Sequence, residues 1–351
     1  MRAARMHEYK KPLVLEDVPV PGIAGNEVLV KVTAAGMCRT DVQLLDRYFE
    51  KYAQIPLPIT PGHEIAGVIE KIGTMVPKAA GFEEGDQVVV VGGWGDGTCR
   101  LCHQGDTQIC VHGKWPGFSA YGGYSEYVPV PFEYLVKVDE RFHLRPEELA
   151  PLTDAGLTPY RGIKKLREAG ALSGGRVLAV FGVGGLGTYA VQYAKLLSGG
   201  ATVVAFARNQ AKLNIAKELG ADHVISTKGK SVEDVRRDLK NATGQGELDA
   251  VIDCAGAPEM MGCRLWAPLA HYCSVGLVGD SINLPLFPFV AREYTYHGSF
   301  WGNYNDLSEV VALVQQGKIR HQLKVASFEQ INENLELLRT GDIVGRAVIK
   351  F

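Results

Sequence analysis

Residues 93–110, GWGDGTCRLCHQGDTQIC, hold three of the seven cysteines: Cys99, Cys102 and Cys110. Clustered thiols in a turn-rich segment are typical donors of a structural zinc site, which needs four ligands and performs no chemistry. The alternative, a redox CxxC pair, belongs in a strand–helix–strand setting that this segment lacks. Two more fragments carry metal-binding side chains: Cys38 in GMCRTD (36–41) and His63 in PGHE (61–64). One thiolate and one imidazole suit a zinc ion if the fold brings them together. Taken singly, each is more simply a core or structural residue.

The second chemical signature is Gly182-Val183-Gly184-Gly185-Leu186-Gly187, placed between an apolar run, RVLAVFG, and a helical pattern, LGTYAVQYAKLLSG. Gly182 permits a tight turn, Gly184 lets backbone approach a pyrophosphate, and Gly187 permits close packing of helix on sheet. A helix starting there offers free N–H groups to phosphate. The segment therefore predicts dinucleotide binding. The next strand ends ATVVAFARNQAK, with Ala207 and Arg208 where an NAD-preferring domain carries an acidic residue. Arg208, helped by Asn209 and Lys212, can pair with a 2′-phosphate, so NADP(H) is favoured over NAD(H). The other reading has Arg208 stacking on the adenine of NAD.

These groups need two kinds of scaffold. Up to about residue 150, short β-branched runs (EVLVKVTAAG, EIAGVIEKIG, DQVVVVGG) alternate with turns and predict a β-barrel-like domain. From about 155, RVLAVFG, ATVVAFA, LDAVIDCAG and HYCSVGLVG alternate with helical patterns such as QAKLNIAKELGA and predict a parallel sheet covered on both faces. After about 295 a helix, DLSEVVALVQQGKI, and a strand, GRAVIKF, follow. The 351 residues suit two domains. A net charge of -2 points away from nucleic acid and anionic membranes. No apolar run is long enough to span a bilayer, and the N-terminal residues lack a signal-peptide core. A cytoplasmic protein with reduced thiols is expected, with Cys254, Cys263 and Cys273 as core residues.

Read in order, CRTD, PGHE, CxxC with a third cysteine, DAGLTPYRGI (154–163), GxGGxG and GRAVIKF resemble the zinc-dependent medium-chain alcohol dehydrogenases over essentially the whole chain. The similarity is greatest to the tetrameric prokaryotic and archaeal branch. The resemblance implies an α/β protein with a GroES-like β-barrel-type catalytic domain (1–154), a Rossmann doubly wound parallel-sheet domain (155–295) and a C-terminal segment (296–351) completing the catalytic domain. It implies that Cys38, His63 and Asp154 hold a catalytic zinc, with Glu64 beside it as an occasional ligand. Many members carry cysteine at position 154, and some carry aspartate. Asp41 would orient His63, Thr40 would bond the substrate hydroxyl, Arg39 and Arg346 would reach the pyrophosphate, and Thr158 the nicotinamide. Asp96 falls on the first position of the structural site, ahead of Cys99, Cys102 and Cys110, which gives two zinc ions per chain. The alternative is a site that has lost its metal, with Asp96 a loop residue.

The implied chemistry is reversible hydride transfer between a primary or secondary alcohol and NAD(P), with zinc as Lewis acid. The dinucleotide would lie on Gly182, Gly184, Gly185, Leu186 and Gly187, with Arg208 and Lys212 at its ribose. Gln43 stands where many relatives carry a relay histidine and cannot act as acid or base. Trp94, Trp115, Phe118, Phe300 and Trp301, joined by Tyr48 and Phe49, fall in segments that flank the cleft in relatives and favour apolar substrates. A small-molecule alcohol, aldehyde or ketone and a homotetramer are the expected partners. Two rivals remain: a quinone-type reductase of the same superfamily without zinc catalysis, and a non-catalytic NADP(H) binder.

Overall fold

Chain segments rich in β-branched residues form two sheets of opposite character. The computed structural model describes residues 1–256, 264–279 and 281–351. These divide into two compact units: residues 1–157, 301–318 and 323–351 form unit 1, and residues 158–300 and 319–322 form unit 2.

In unit 1, β1 (Arg2–Arg5) and β2 (Val14–Asp17) pair antiparallel. A seven-stranded mixed sheet contains β3 (Glu27–Met37), β4 (Glu64–Ile72), β5 (Gln87–Val90), β6 (Tyr127–Pro131), β7 (Leu135–Lys137), β14 (Leu323–Ser327) and β15 (Arg346–Lys350). The long strand β3 organises it. One edge pairs with β4; the other pairs first with β6 and then, over Ala34–Met37, with β15. This register sets Gly36 opposite Glu64 and Met37 opposite Ala347. The ends of three strands distant in sequence thus meet beside Cys38.

In unit 2, β8 (Val177–Phe181), β9 (Thr202–Ala207), β10 (His223–Ser226), β11 (Leu248–Asp253), β12 (Trp266–Ser274) and β13 (Thr295–Gly298) form one sheet in the order β10-β9-β8-β11-β12-β13, with every pair parallel. All five residues of β8 are buried, as befits a strand covered on both faces. The order reverses direction between β8 and β11, where an open α/β sheet places its ligand. Val177, Phe181, Phe206, Trp266 and Tyr272 anchor the core on one side.

Cys273 is fully buried in β12, and burial pushes its thiol up to about 12. Cys254 is half-buried just after β11, and Cys263 lies outside the described residues. Among the described residues no helix is long and apolar enough to cross a membrane.

On neighbouring strands β12 and β13, His271 and His297 stack at 5.3 Å between centroids, with Nδ1 of the first 3.0 Å from Nε2 of the second. Burial lowers both from an ordinary value near 6.5; Arg176 adds to this at His271, and His271 and Lys165 at His297. The unfolded chain therefore takes up protons before the folded one. The stability this pair contributes is present above about pH 6.5 and is lost as pH falls toward the lowered folded values. The Tm difference between wild type and His271→Phe should shrink as pH falls from 8 to 5.5. A difference that does not change with pH would contradict this.

Candidate active site and metal centres

Cys38 directly follows β3, His63 directly precedes β4, and Asp154 closes the short 3-10 turn Ala150–Thr153. All three are buried, and their donor atoms lie within 4.8 Å of one another. Cys38 Sγ is 3.4 Å and His63 Nε2 3.6 Å from Asp154 Oδ2. Zinc bonds of about 2.3 Å to sulfur and about 2.0 Å to nitrogen or oxygen, set tetrahedrally, separate sulfur from oxygen by about 3.5 Å and nitrogen from oxygen by about 3.3 Å. The side chains are thus spaced to within a few tenths of an ångström for zinc.

The electrostatics agree. Asp41, Glu64 and Asp154 are 1%, 0% and 8% exposed, and Arg346, the one buried guanidinium among the described residues, is 3% exposed. Its Nε and Nη2 donate to Glu64, and Nη2 also donates to Asp154 Oδ2 at 2.8 Å. Burial pushes the Glu64 carboxyl up to about 7, against the pull of Arg346. Three carboxylates and a thiol crowd one guanidinium and one imidazole. Against the burial that opposes it, Asp41 and Asp154 hold the His63 ring well above its ordinary value, a demand for positive charge that a divalent cation could also meet.

The other predicted residues of unit 1 are placed as follows. Thr40 Oγ1 lies 3.3 Å from Cys38 Sγ. Asp41 Oδ1 is 3.3 Å from His63 Nδ1, the ring nitrogen that faces away from Asp154. Glu64 is outside the three-residue donor cluster; its Oε1 accepts the Ala155 N–H at 2.8 Å. Arg39 is exposed and donates to the Leu338 carbonyl. Phe118 and Trp301 each lie 5.7 Å from the His63 ring, Trp115 contacts both, and Phe49 packs on Phe118. Tyr48 packs on Phe49. Trp301 takes φ 46°, rare for a bulky residue, and a Cβ on Gly92 would lie 2.5 Å from its ring. Trp94 packs instead on Tyr134, and Phe300 belongs to unit 2.

The second cluster gathers Asp96, Cys99, Cys102 and Cys110. Cys99 Sγ is 3.6 Å from Cys102 Sγ and 3.7 Å from Cys110 Sγ, and Asp96 Oδ1 is 3.6 and 3.4 Å from the sulfurs of Cys102 and Cys110. Tetrahedral zinc calls for about 3.8 Å between sulfurs and about 3.5 Å from sulfur to oxygen. Thr98 donates to Asp96 from hydroxyl and backbone and holds its carboxyl well below the ordinary range. Gly95 leaves room for Cys102, since a Cβ there would lie 2.5 Å from its sulfur.

In unit 2 the glycines after β8 act as distinct spacers. Gly182 has φ +83°. A Cβ on Gly187 would lie 1.9 Å from the Gly182 carbonyl, whereas one on Gly184 would meet nothing within 4 Å. Close packing and an open approach are thus divided between two positions of one turn. Gly184 caps the helix Gly185–Leu197 with no side-chain bond, and Leu186 lies in its first turn, an arrangement in which helix N–H groups can receive an anion. Thr158 is buried near the start of the helix Leu157–Glu168. Arg208 is exposed just past β9, and Lys212 is half-buried. Asn209 uses its side-chain oxygen to cap the helix Gln210–Glu218, accepting from Ala211 and Lys212.

Residues 24–140 match the alcohol dehydrogenase GroES-like domain, and residues 185–316 the zinc-binding dehydrogenase domain. An NAD-dependent alcohol dehydrogenase of Sulfurisphaera tokodaii is 36% identical, with 99% of each chain covered. The chain belongs to the zinc-type medium-chain alcohol dehydrogenases. A D-arabinose 1-dehydrogenase (NADP(+)) of Saccharolobus solfataricus is 35% identical, covering 99% of this chain and 97% of the relative. The crystal structure of the alcohol dehydrogenase of Aeropyrum pernix superposes with a TM-score of 0.92 at 35% identity over 100% of both chains. Like other alcohol dehydrogenases, this chain is an oxidoreductase that interconverts small alcohols with aldehydes or ketones, on a GroES-like domain joined to a Rossmann domain.

Gly187→Ala should weaken dinucleotide binding by about tenfold or more, since the added methyl must displace the Gly182 carbonyl and the turn with it. Zinc content should not change. Fluorescence titration with NADPH and elemental analysis check this; wild-type affinity would show that the turn does not carry the dinucleotide.

Proposed function

We propose that Cys38, His63 and Asp154 hold a catalytic zinc, that Asp96, Cys99, Cys102 and Cys110 hold a structural one, and that the cofactor is NADP(H). The observation that supports this most is the zinc-like spacing of one buried thiol, one imidazole and one carboxylate. Zinc at this site supplies the Lewis acidity that makes an alcohol hydroxyl easier to deprotonate. Thr40, beside Cys38, accepts that proton's hydrogen bond and passes it outward. Gln43 cannot continue the relay as an acid or base. Asp41 keeps the His63 ring turned so that Nε2 faces the other donors. Glu64 and Arg346 neutralise each other under the site, and Arg346, held there by Nε and Nη2, also serves the cofactor pyrophosphate together with Arg39. Glu64 would ligate the metal only in passing, and Thr158 would lie at the nicotinamide.

Phe49, Trp115, Phe118 and Trp301 supply an apolar aromatic wall beside His63. Such a wall favours substrates carrying apolar or aromatic groups over polyols, which need polar partners. For the cofactor, the support is the tip of β9: Ala207 supplies no carboxylate to repel a 2′-phosphate, and the adjoining Arg208 is exposed. The reading extends to a cytoplasmic homotetramer, on the resemblance to the tetrameric branch.

Purified wild type should carry two zinc ions per chain by elemental analysis, matching the two donor clusters. Cys38→Ser should lose one of them and its turnover while still binding NADPH. Asp96→Ala should lose the other, keep most turnover at 25 °C, and melt roughly 4–8 °C lower for a loss of about 2 kcal/mol. Undiminished turnover in Cys38→Ser would refute the catalytic assignment. Separately, Ala207→Asp should lower the ratio of kcat/KM for NADP+ over NAD+ by about tenfold or more, because like charges would then face each other. An unchanged ratio would reject the reading of that strand tip.

A further inference from the structure

Tyr124 is completely buried and belongs to neither donor cluster. Its hydroxyl donates to Asp41 Oδ2 at 2.8 Å. The same Oδ2 accepts the Cys38 N–H at 2.8 Å, while Oδ1 lies 3.3 Å from His63 Nδ1. One carboxylate therefore touches two metal-ligating residues, Cys38 through its backbone and His63 through its ring, and Tyr124 is its third partner.

The surroundings are shaped for that ring. A Cβ on Gly62, the residue before His63, would come within 2.6 Å of Tyr124, and Gly62 itself sits at φ +94°. The Gly123 N–H donates to the Gly62 carbonyl at 2.7 Å, and the Tyr124 N–H to the Pro61 carbonyl at 3.0 Å. A Cβ on Gly122 would lie 2.2 Å from the Pro61 oxygen. The segment Gly122–Tyr124 is thus zipped along the residues that deliver His63, with no room for it to shift. A phenylalanine would fill the same space. The hydroxyl adds the short bond to Asp41 and a long contact, 3.5 Å, to the Gly36 carbonyl, and a buried carboxylate that loses a donor is free to turn and poorly solvated.

We propose that Tyr124 is a positioning residue for the metal centre: it locks Asp41, which in turn sets His63 and Cys38 at zinc-ligand spacing. This rests on the reading that Cys38, His63 and Asp154 hold zinc. Partners one step removed from metal ligands change metal affinity by about 10–100-fold when altered.

The test measures zinc release from the fully loaded enzyme to the colorimetric chelator 4-(2-pyridylazo)resorcinol. Cys38→Ser identifies the phase that belongs to the catalytic site. Tyr124→Phe should accelerate that phase by up to about tenfold, the low end of the range for such partners, because Tyr124 acts through Asp41. It should leave the other phase unchanged and shift the visible absorption bands of enzyme carrying cobalt(II) at the catalytic site. The control is Tyr272→Phe, which deletes a comparable buried bond, from Tyr272 to Asp253 Oδ2 (2.7 Å), in unit 2. It should leave both phases as they are. Wild-type release and an unshifted cobalt spectrum in Tyr124→Phe would overturn the proposal. So would equal acceleration of both phases, or the same effect from Tyr272→Phe, since either would indicate general loosening. If Cys38→Ser leaves both phases of the wild type intact, the zinc reading itself falls, and this proposal with it.

Discussion

Unit 1 is organised around a cluster of buried charges that must balance one another. Asp41, Glu64 and Asp154 are all withdrawn from water, and Arg346 is the one guanidinium buried among them. A buried carboxylate without a partner costs several kcal/mol, so this arrangement is tenable only with further positive charge at the same place. Asp41 and Asp154 both draw positive charge to His63, outweighing the burial that opposes it. The proposed dication at Cys38, His63 and Asp154 would meet the same demand and would then belong to the energetics of the fold as much as to its chemistry. The register of β3 against β4 and β15 brings the charges together.

Missing side chains make the close approaches possible. A Cβ on Gly36 would fall within 1.7 Å of the Glu64 carboxylate, so that position must be bare for the acid to lie where Arg346 can reach it. Gly62 does the same for the Tyr124 ring and Gly95 for the Cys102 sulfur. In unit 2, Gly187 admits a backbone carbonyl and Gly184 leaves open space before a helix N-terminus. Glycine serves these sites more through the space it leaves than through flexibility.

Much of this was legible in the sequence, because the signals are local. The GxGGxG turn lies between a strand and a helix, and the thiols of 99–110 are spaced by one short segment. The strands RVLAVFG and ATVVAFA appear with their ends trimmed by a residue or two, at Val177–Phe181 and Thr202–Ala207. HYCSVGLVG carried only the second half of β12, which begins earlier, at Trp266. That first half, WAPLA, has little β-branching to mark it. What the sequence hid is long-range. Nothing near Tyr124 announces that its hydroxyl meets Asp41, and no spacing rule places Arg346 on Glu64. Trp94 looks like a cleft residue beside the other aromatics, yet its indole N–H is taken up by the Val91 carbonyl and its face by Tyr134. Asn209 reads as a phosphate partner, and its position before Gln210–Glu218 also commits its oxygen to capping, which leaves the amide N–H as the group for a phosphate.

The bond from Arg346 to Glu64 spans 282 residues of sequence, and that to Asp154 spans 192. All three residues of the proposed catalytic cluster are synthesised before any of unit 2. The guanidinium that pairs with Glu64 and Asp154 comes only with β15, after the whole parallel sheet of unit 2 has been synthesised. During that interval Glu64 must stay hydrated or protonated, because its guanidinium partner does not yet exist. Closure of this centre is therefore a late step in biogenesis, slow by the loop-closure cost of such distant contacts. It waits for β15 to insert between β14 and β3.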